Sequence, residues 1–518
     1  MKKKTNLAAP VPAGITAGIT AGITAGIAAM LLAGCAVGPD YARPQLNLPE
    51  RYTPAPPTSQ AAEGVPLAHL SSDVDVHAQW WQAFRSEPLN ALVAQSLAGN
   101  PTIEAADAAL RAAQENEAAD RAAFWPNVAL GYSPTRQRVA SAVASPVSSN
   151  ASLYTLHTAQ VTVSYTPDVF GATRRQVEGA QANTELQQFQ SVAAKLSLSS
   201  NVVTAAITEA SLRAQQAATL KIIAGQKEVL QAYRRQLALG QAAPADVDAQ
   251  EAALAATEAT LPPLDRQLAQ QRNLLATLAG RFPSQGVEAR FDLDALQLPT
   301  ELPLTLPSSL VEHRPDVHAA EAQLKSASAA IGVAVAARLP NVTLGVNSYG
   351  SSAYRLADLF KSSSLFWTVA ASVTQPIFDG GALKHREAAA RASFDQAAAQ
   401  YRATVLAAFQ DVANTLEAID ADTRALQAAV KAERAASQSL ARTQAQVRLG
   451  DASALSLRIA QQAQQQALLN LVQARALRLT DAAALFQALG GGWWNQPQAA
   501  VASSSSLSTS FSNSSASP

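Results

Sequence analysis

The sequence has few of the residues that characterise soluble enzymes and nucleic-acid-binding proteins. It contains one cysteine in 518 residues, 15% of the residues are charged, 5% are aromatic, and the formal net charge is zero. The lone cysteine excludes a disulfide within one chain, and the lack of a basic excess argues against nucleic-acid binding. The charged fraction also lies below the ~25% of typical soluble domains.

Motifs of catalysis and cofactor binding are missing as well. We find no P-loop, nucleophile elbow or dinucleotide fingerprint. The histidines are scattered, and His313 and His318 lack the i, i+4 spacing that puts two metal ligands on one helix face. Past the N-terminus, no run of ~18–20 apolar residues could form a transmembrane helix. We therefore expect a protein that is not an enzyme and has no catalytic residue, metal site or dissociable cofactor.

The position of the cysteine indicates export. Three lysines near the start precede an apolar stretch that ends in Leu32-Ala33-Gly34-Cys35. This order is typical of a bacterial lipoprotein signal peptide, so we predict a signal peptide over 1–34 and a covalent lipid on Cys35. The alternatives are a transmembrane anchor and a cysteine placed there by chance, although Gly and Thr repeats weaken the hydrophobicity that an anchor would need.

Both ends of the mature chain lack the periodicity of helices or strands. Residues 35–79 are Pro-rich and are predicted to form the lipidated, extended N-terminal segment. Residues 491–518 form a C-terminal segment whose serine-rich tail is expected to be disordered.

One stretch, from Leu365 to Val447, organises the rest of the chain. It begins with alternating apolar residues that predict a strand, and Pro376 with two glycines then ends that strand. No proline or glycine follows from Ala382 until Gly450, and apolar residues recur there every seven positions. A helix over 382–447 would be ~95–100 Å long at ~1.5 Å per residue. Such a helix cannot lie inside a compact domain, because globular helices average about 11–12 residues.

The sequence contains two similar copies of one unit. Pro101 and Pro126 match Pro315 and Pro340, each 214 residues further on, and the later match of Pro167 with Pro376 drifts only to 209. This regular offset predicts an internal duplication. Each copy is expected to run through a helix, a β-hairpin, a very long helix, a tip and a returning helix. The predicted copies are residues 80–280, with a hairpin at 127–166 and a tip near 240, and 308–490, with a hairpin at 341–375 and a tip near 450, joined by a Pro-rich linker at 281–307.

The four predicted strands carry one apolar face each. Pro126, Pro167, Pro340 and Pro376 bracket them at the same end, as strand–helix junctions. Strands of ~9–11 residues with one apolar face fit a transmembrane β-barrel. Four strands cannot close a barrel, and open edges in lipid are costly, so several chains would have to pool their strands. The alternative is two hairpins that cover a soluble core.

The residues also resemble a known family. The opening Cys35–Pro44, the stretch Trp80–Phe84, the triplet Arg314-Pro315-Asp316 and the closing Ala488–Trp493 resemble the NodT-like lipoprotein branch of the outer membrane factor (TolC-like) family. The resemblance implies an internally duplicated α+β membrane protein. Its homotrimer would form a 12-stranded transmembrane β-barrel, four strands per chain, continuous with a long periplasmic α-helical barrel.

The resemblance further implies a role and partners. The chain would be the outer-membrane channel of a tripartite efflux system that passes small molecules, such as drugs and toxic compounds. Its partners would be a periplasmic membrane-fusion adaptor and an inner-membrane resistance-nodulation-division pump. A protein-secretion duct and a lipid-anchored periplasmic scaffold without a pore stay open as alternatives.

Two groups of residues gain expected roles from the resemblance. Leu239-Gly240 and Leu449-Gly450 match the helix tips at which the adaptor docks. The candidate periplasmic gate, which narrows the closed pore of such channels, consists of Asp246, Asp248, Asp451 and Ile459. Ile459 departs from the family pattern, because an aspartate is usual at its position.

Overall fold

The computed structural model describes residues 36–53, 69–71, 75–140, 142, 151–299, 301–303 and 307–495. The predicted signal peptide, the predicted lipidation site Cys35 and the predicted disordered tail lie outside these residues.

Helices make up most of the described chain, and two of them are exceptionally long. They are α1 Glu87–Gly99, α2 Pro101–Arg121, α3 Ala172–Ala238, α4 Pro244–Glu258, α5 Leu261–Leu278, α6 Pro307–His313, α7 Pro315–Ala336, α8 Ala382–Leu449 and α9 Ala454–Ala488. Helix α3 has 67 residues and α8 has 68, so the long helix predicted from residue 382 is present. In the described part of the chain, no helix combines the length and the apolarity needed to cross a membrane.

The apolar heptad positions explain where α8 packs. Val405, Val412, Ile419 and Leu426, spaced by seven residues, are all buried. A repeat of seven keeps one apolar stripe along a helix over many turns, because it nearly matches two helical turns. The sequence pattern therefore identified the buried side of this helix.

In the described ranges, six strands form two sheets. Strands β1 His69–Ser71 and β4 Glu301–Pro303 pair in parallel as a small sheet. The main sheet contains β2 Asn127–Arg138, β3 Leu153–Tyr165, β5 Asn341–Ala353 and β6 Leu365–Thr374, in that order and antiparallel throughout.

Three strands of the main sheet exceed the expected 9–11 residues. Strands β2, β3 and β5 have 12, 13 and 13 residues, and β6 has 10. In the β2–β3 hairpin, pairing continues past the apolar residues to Arg138, which pairs with Leu153. Backbone pairing needs no apolar side chains, so the sequence pattern marked the apolar part of each strand and not its full length.

A β-bulge in β5 adjusts the faces of the sheet. The pairing of β5 with both neighbours shifts by one residue just after Val346. An extra residue in a strand reverses which side chains point to which face. Leu344 before the shift and Tyr349 after it therefore lie on the same face, although their spacing is odd.

The chain divides into two compact units. The sheet unit takes residues from Met1–Pro44, Leu110–Gln187 and Ala320–Tyr401, and the helical unit takes them from Gln45–Ala109, Gln188–Ala319 and Arg402–Pro518. Each predicted copy contributes to both units, so these units do not coincide with the two copies. In the helical unit, Trp80 stacks on Phe486 with ring centroids 5.5 Å apart, among buried residues that include Phe84 and Leu89.

Candidate functional site

One face of the main sheet is apolar and exposed. Val128 pairs with Val163, and Leu344 pairs with Ala371. Since directly paired residues share a face, the register gathers the apolar residues of four strands on one side. The most exposed of them, Leu130, has 82% of its surface accessible. Other exposed members of this face are Val128, Tyr132, Tyr349, Trp367, Val369 and Val373. A contiguous apolar face built from four strands would be unusual on the water-exposed surface of a monomer.

The opposite face near the junctions carries small and polar residues. Thr162 pairs with Ala129, and Thr343 pairs with Ser372. Large apolar residues appear on this face only toward the loop ends of the described strands, where Leu156 pairs with Thr135 and Phe366 pairs with Gly350. A sheet with one apolar and one polar face suits a wall between lipid and water.

Both edges of this sheet are open. Within the described residues, β2 pairs only with β3 and β6 pairs only with β5. An edge strand presents unpaired backbone N–H and C=O groups, and each such group costs several kcal/mol in hydrocarbon. The sheet of one chain is therefore incomplete as a membrane-spanning structure.

The four junction prolines lie outside the strands, as their chemistry requires. Pro126 and Pro340 precede β2 and β5, while Pro167 and Pro376 follow β3 and β6. Because Asn341 pairs with Thr374, the end of β5 next to Pro340 lies beside the end of β6 next to Pro376.

Two aspartates that the sequence analysis missed cap the N-termini of the long helices α3 and α8. Asp168 accepts hydrogen bonds from the backbone N–H groups of Thr173 and Arg174, each 2.9 Å long. Asp379 accepts them from Gly381 at 2.8 Å and Leu383 at 2.7 Å, and these bonds lower the pKa of Asp379. The signal was available, because aspartate just before a helix is a common N-terminal cap.

The two helix tips share one geometry. Leu239 and Leu449 are 72% and 77% exposed, and Gly240 and Gly450 have φ values of +73° and +82°. At each tip the glycine N–H donates to the carbonyl three residues back, and the next N–H donates to the carbonyl five residues back. This is the Schellman arrangement, in which a left-handed residue ends the helix. Each turn therefore presents an exposed leucine.

The candidate gate residues lie near these tips, at different degrees of exposure. Asp246 is in the first turn of α4 and half-buried, whereas Asp248 and Asp451 are exposed. Ile459 on α9 is 59% exposed.

Two further residues near Asp246 were missed. Burial and the charge of Asp246 raise the pKa of Tyr233 on α3, and the charge of Arg458 on α9 opposes that rise. The Tyr233 hydroxyl is buried and has no hydrogen-bond partner. Three helices thus bring one acid and one base within electrostatic range of one phenol. No local sequence pattern marks this grouping.

In the part of the chain that the structure describes, no group of three or more His, Cys, Asp or Glu side chains could hold a metal ion.

An apolar sheet face, open strand edges and helices of 67 and 68 residues are features of one class of protein, the outer-membrane channels. The Outer membrane efflux protein family model matches residues 92–281 and 306–491, and the chain belongs to this family.

Individual relatives agree with this assignment. The chain is 30% identical over 457 residues to the pyoverdine export outer membrane protein OpmQ of Pseudomonas aeruginosa, covering 86% of this chain and 94% of OpmQ. It is 29% identical over 468 residues to the toluene efflux pump outer membrane protein TtgC of Pseudomonas putida, covering 90% and 94%. The solved outer-membrane channel OprN superposes with a TM-score of 0.79 at 27% identity, covering 89% of this chain and all of OprN.

These comparisons confirm the predicted family and the predicted function, an outer-membrane efflux channel component. Family membership also indicates a location at the bacterial outer membrane. The relatives are named as export and efflux proteins and not as enzymes.

Proposed function

We propose that the chain is one third of a trimeric efflux channel in which three sheets close a 12-stranded barrel. The observation that carries this proposal is the four-stranded sheet with one apolar face and two open edges. In lipid such edges must pair. A second copy of the same chain can supply the partner, because its β2 edge can pair with the β6 edge of the first copy. Closed point-group symmetry is the usual way in which identical chains satisfy an interface.

The proposed duplication predicts the register between chains. The family model matches the chain in two successive stretches, which supports a duplicated unit. Asn127 pairs with Ser164 in the first hairpin and Asn341 with Thr374 in the second, so equivalent strand positions differ by 214 and 210 residues. Within one chain, Val163 on β3 pairs with Val346 on β5. These offsets transfer that pair to Val373 on β6 and Tyr132 on β2 of the next chain.

The same proposal assigns partners to the helix tips. Leu239-Gly240 and Leu449-Gly450 would dock a periplasmic adaptor, which links the channel to an inner-membrane pump of the resistance-nodulation-division type. Two tips with equal backbone geometry, each with an exposed leucine at the same position, support a repeated docking site.

Substrates are proposed to be small molecules, and the lipid on Cys35 is proposed to anchor the chain. The names of the relatives, which concern pyoverdine export and toluene efflux, support small molecules over secreted proteins. The signal-like sequence that ends at Cys35 supports the anchor.

For the gate we propose Asp246, with Arg458 as its counter-charge, and keep Asp248, Asp451 and Ile459 as neighbouring candidates. Three symmetry-related copies of Asp246 would repel one another unless basic groups compensate them. Arg458 lies within electrostatic range of the same site.

Planar-bilayer recording of the purified protein tests the channel proposal. We expect single-channel steps whose open probability rises in Arg458→Ala. The control is Arg475→Ala on the same helix, because Arg475 forms an exposed ion pair with Asp294 at 3.2 Å. A scaffold without a pore would give no conductance in the wild-type protein or in either variant, and that result would refute the proposal.

A further inference from the structure

The first described residues of the chain bind along the sheet unit. We call residues 36–43 the N-terminal strap. The strap has no helix or strand of its own, yet the N–H of Val37 donates to the carbonyl of Phe170 at 3.1 Å. Phe170 lies in the junction between β3 and α3, so the strap begins at the point where the sheet ends.

A buried arginine side chain binds the strap. Arg175, whose side chain is 6% exposed, donates to the carbonyl oxygens of Val37 at 3.2 Å and Gly38 at 3.4 Å. It also donates to the Asp40 carboxylate at 2.6 Å. Charge-assisted bonds of this length are among the stronger hydrogen bonds in proteins, and the planar guanidinium fixes their direction.

Glycines allow the strap to approach this closely. A Cβ atom on Gly332 of α7 would lie 2.6 Å from Arg175 Cγ and 3.0 Å from the Val37 carbonyl oxygen. A Cβ atom on Gly171 would lie 2.6 Å from the Cα atom of Ala36. Cβ atoms do not approach other atoms to under 3 Å, so a side chain on Gly171 would displace the strap itself, and one on Gly332 would displace the Arg175 side chain that binds the strap.

A second carboxylate holds the other end of the strap. Glu321 on α7 accepts a hydrogen bond from the Tyr41 hydroxyl at 3.2 Å, and its other oxygen lies 3.1 Å from Arg43. The side chain of Glu321 is 11% exposed. The strap is therefore held at two separate points of the same unit.

We propose that Phe170, Gly171, Arg175, Glu321 and Gly332 form a binding site for the chain's own mature N-terminus, and that this site fixes the attachment point of the lipid. The proposal rests on the proposed lipidation of Cys35. Cys35 directly precedes Ala36, and consecutive Cα atoms are ~3.8 Å apart. The acyl chains would therefore enter the bilayer beside the β3–α3 junction, and the strap would stay bound without them.

Hydrogen–deuterium exchange of the purified, full-length protein tests this site. We expect the amide of Val37, whose N–H bonds to Phe170, to exchange at least ~10-fold faster in Gly332→Ala and in Arg175→Ala than in the wild-type protein. The matched controls are Gly179→Ala, whose Cβ would meet its nearest atom at 3.6 Å, and Arg174→Ala, whose side chain pairs with Asp168. Neither control should change exchange in the strap.

A Cys35→Ser variant, exported behind a non-lipoprotein signal peptide, separates the strap site from the lipid. We expect its strap to exchange within ~3-fold of the wild-type rate. Fast exchange in this variant, or unchanged exchange in both Gly332→Ala and Arg175→Ala, would overturn the proposal. The mass of the wild-type N-terminal peptide tests lipidation independently, and channel recording tests the proposed function, so the three failures are distinguishable.

Discussion

The carboxylate of Glu209 offers the sharpest test of how the helical unit is held together. Glu209 on α3 is fully buried and accepts a hydrogen bond from the backbone N–H of Phe291 at 3.1 Å. It also forms ion pairs with Arg213, one turn further along α3, and with Arg272 on α5. One side chain thus joins two helices to the segment that follows α5.

The size of the effect follows from these contacts. Removing one partner of a buried ion pair costs ~3–5 kcal/mol, and both arginines are 30% exposed, so we place Glu209→Ala at the lower end, ~3 kcal/mol. Glu209→Gln keeps an acceptor for the Phe291 N–H but loses the charge, and we expect ~1.5 kcal/mol, because bonds to charged groups contribute ~1.5–3 kcal/mol.

Native-state proteolysis measures this locally. Trypsin can cut after the exposed Arg290 only when the segment around the buried Phe291 opens. Cleavage then tracks the open population, and each ~1.4 kcal/mol changes it tenfold. We expect cleavage at Arg290 to rise about 100-fold in Glu209→Ala and about tenfold in Glu209→Gln.

The control is a surface ion pair in the same unit. Glu251 and Arg234 lie 3.1 Å apart with both side chains more than half exposed, and such pairs contribute ~0–1 kcal/mol. Glu251→Ala should therefore leave cleavage at Arg290 nearly unchanged. Equal cleavage in Glu209→Ala and Glu251→Ala would refute the reasoning.

Three further predictions follow from local features. The pKa of Asp481 is raised from 3.8 to about 7, mainly because the side chain is buried. A hydrogen bond with Asp422 and the negative charge of Asp422 raise it further. The folded state then holds a proton that the unfolded state has lost, so this contribution to stability falls as the pH rises from about 4 to about 7. Thermal melts should show a higher Tm at pH 5.5 than at pH 8, and Asp481→Asn should reduce that difference; an unchanged difference contradicts the assignment. Gly450→Ala should speed amide exchange at its tip about 5- to 30-fold, because a left-handed alanine costs ~1–2 kcal/mol, whereas Gly225→Ala inside α3 should not; equal exchange rates would count against the cap. Replacing both Leu239 and Leu449 by Ser should weaken adaptor binding in pull-down assays and leave conductance intact; full adaptor binding would place the docking site elsewhere.

Much of the fold could be predicted because its signals are local and periodic. The heptad positions of α8 and the alternation in β6 each encode a buried stripe or an exposed face. The junction prolines marked one end of every strand in the main sheet, since proline cannot donate to the ladder.

The features that escaped prediction depend on contacts between distant parts of the chain. The bulge in β5 appears only in how β5 pairs with its neighbouring strands. The alternation of residues within one strand does not specify that pairing. Arg175 and Asp40 are 135 positions apart, and neither carries a local signal for the other. The same holds for Arg458 on α9, whose charge acts on Tyr233 of α3, more than 200 positions away.

The most direct test of the trimer is a disulfide across the predicted edge. Tyr132→Cys and Val373→Cys are combined in one chain that carries Cys35→Ser behind a non-lipoprotein signal peptide, so that no other thiol is present. Oxidation in membranes should link β6 of each copy to β2 of the next and produce a covalent trimer on denaturing gels. Each single variant, and a Tyr132→Cys and Ala371→Cys pair moved two residues out of register, should link far less. A chain that stays monomeric, or that links no better than the shifted pair, would contradict the pooled barrel.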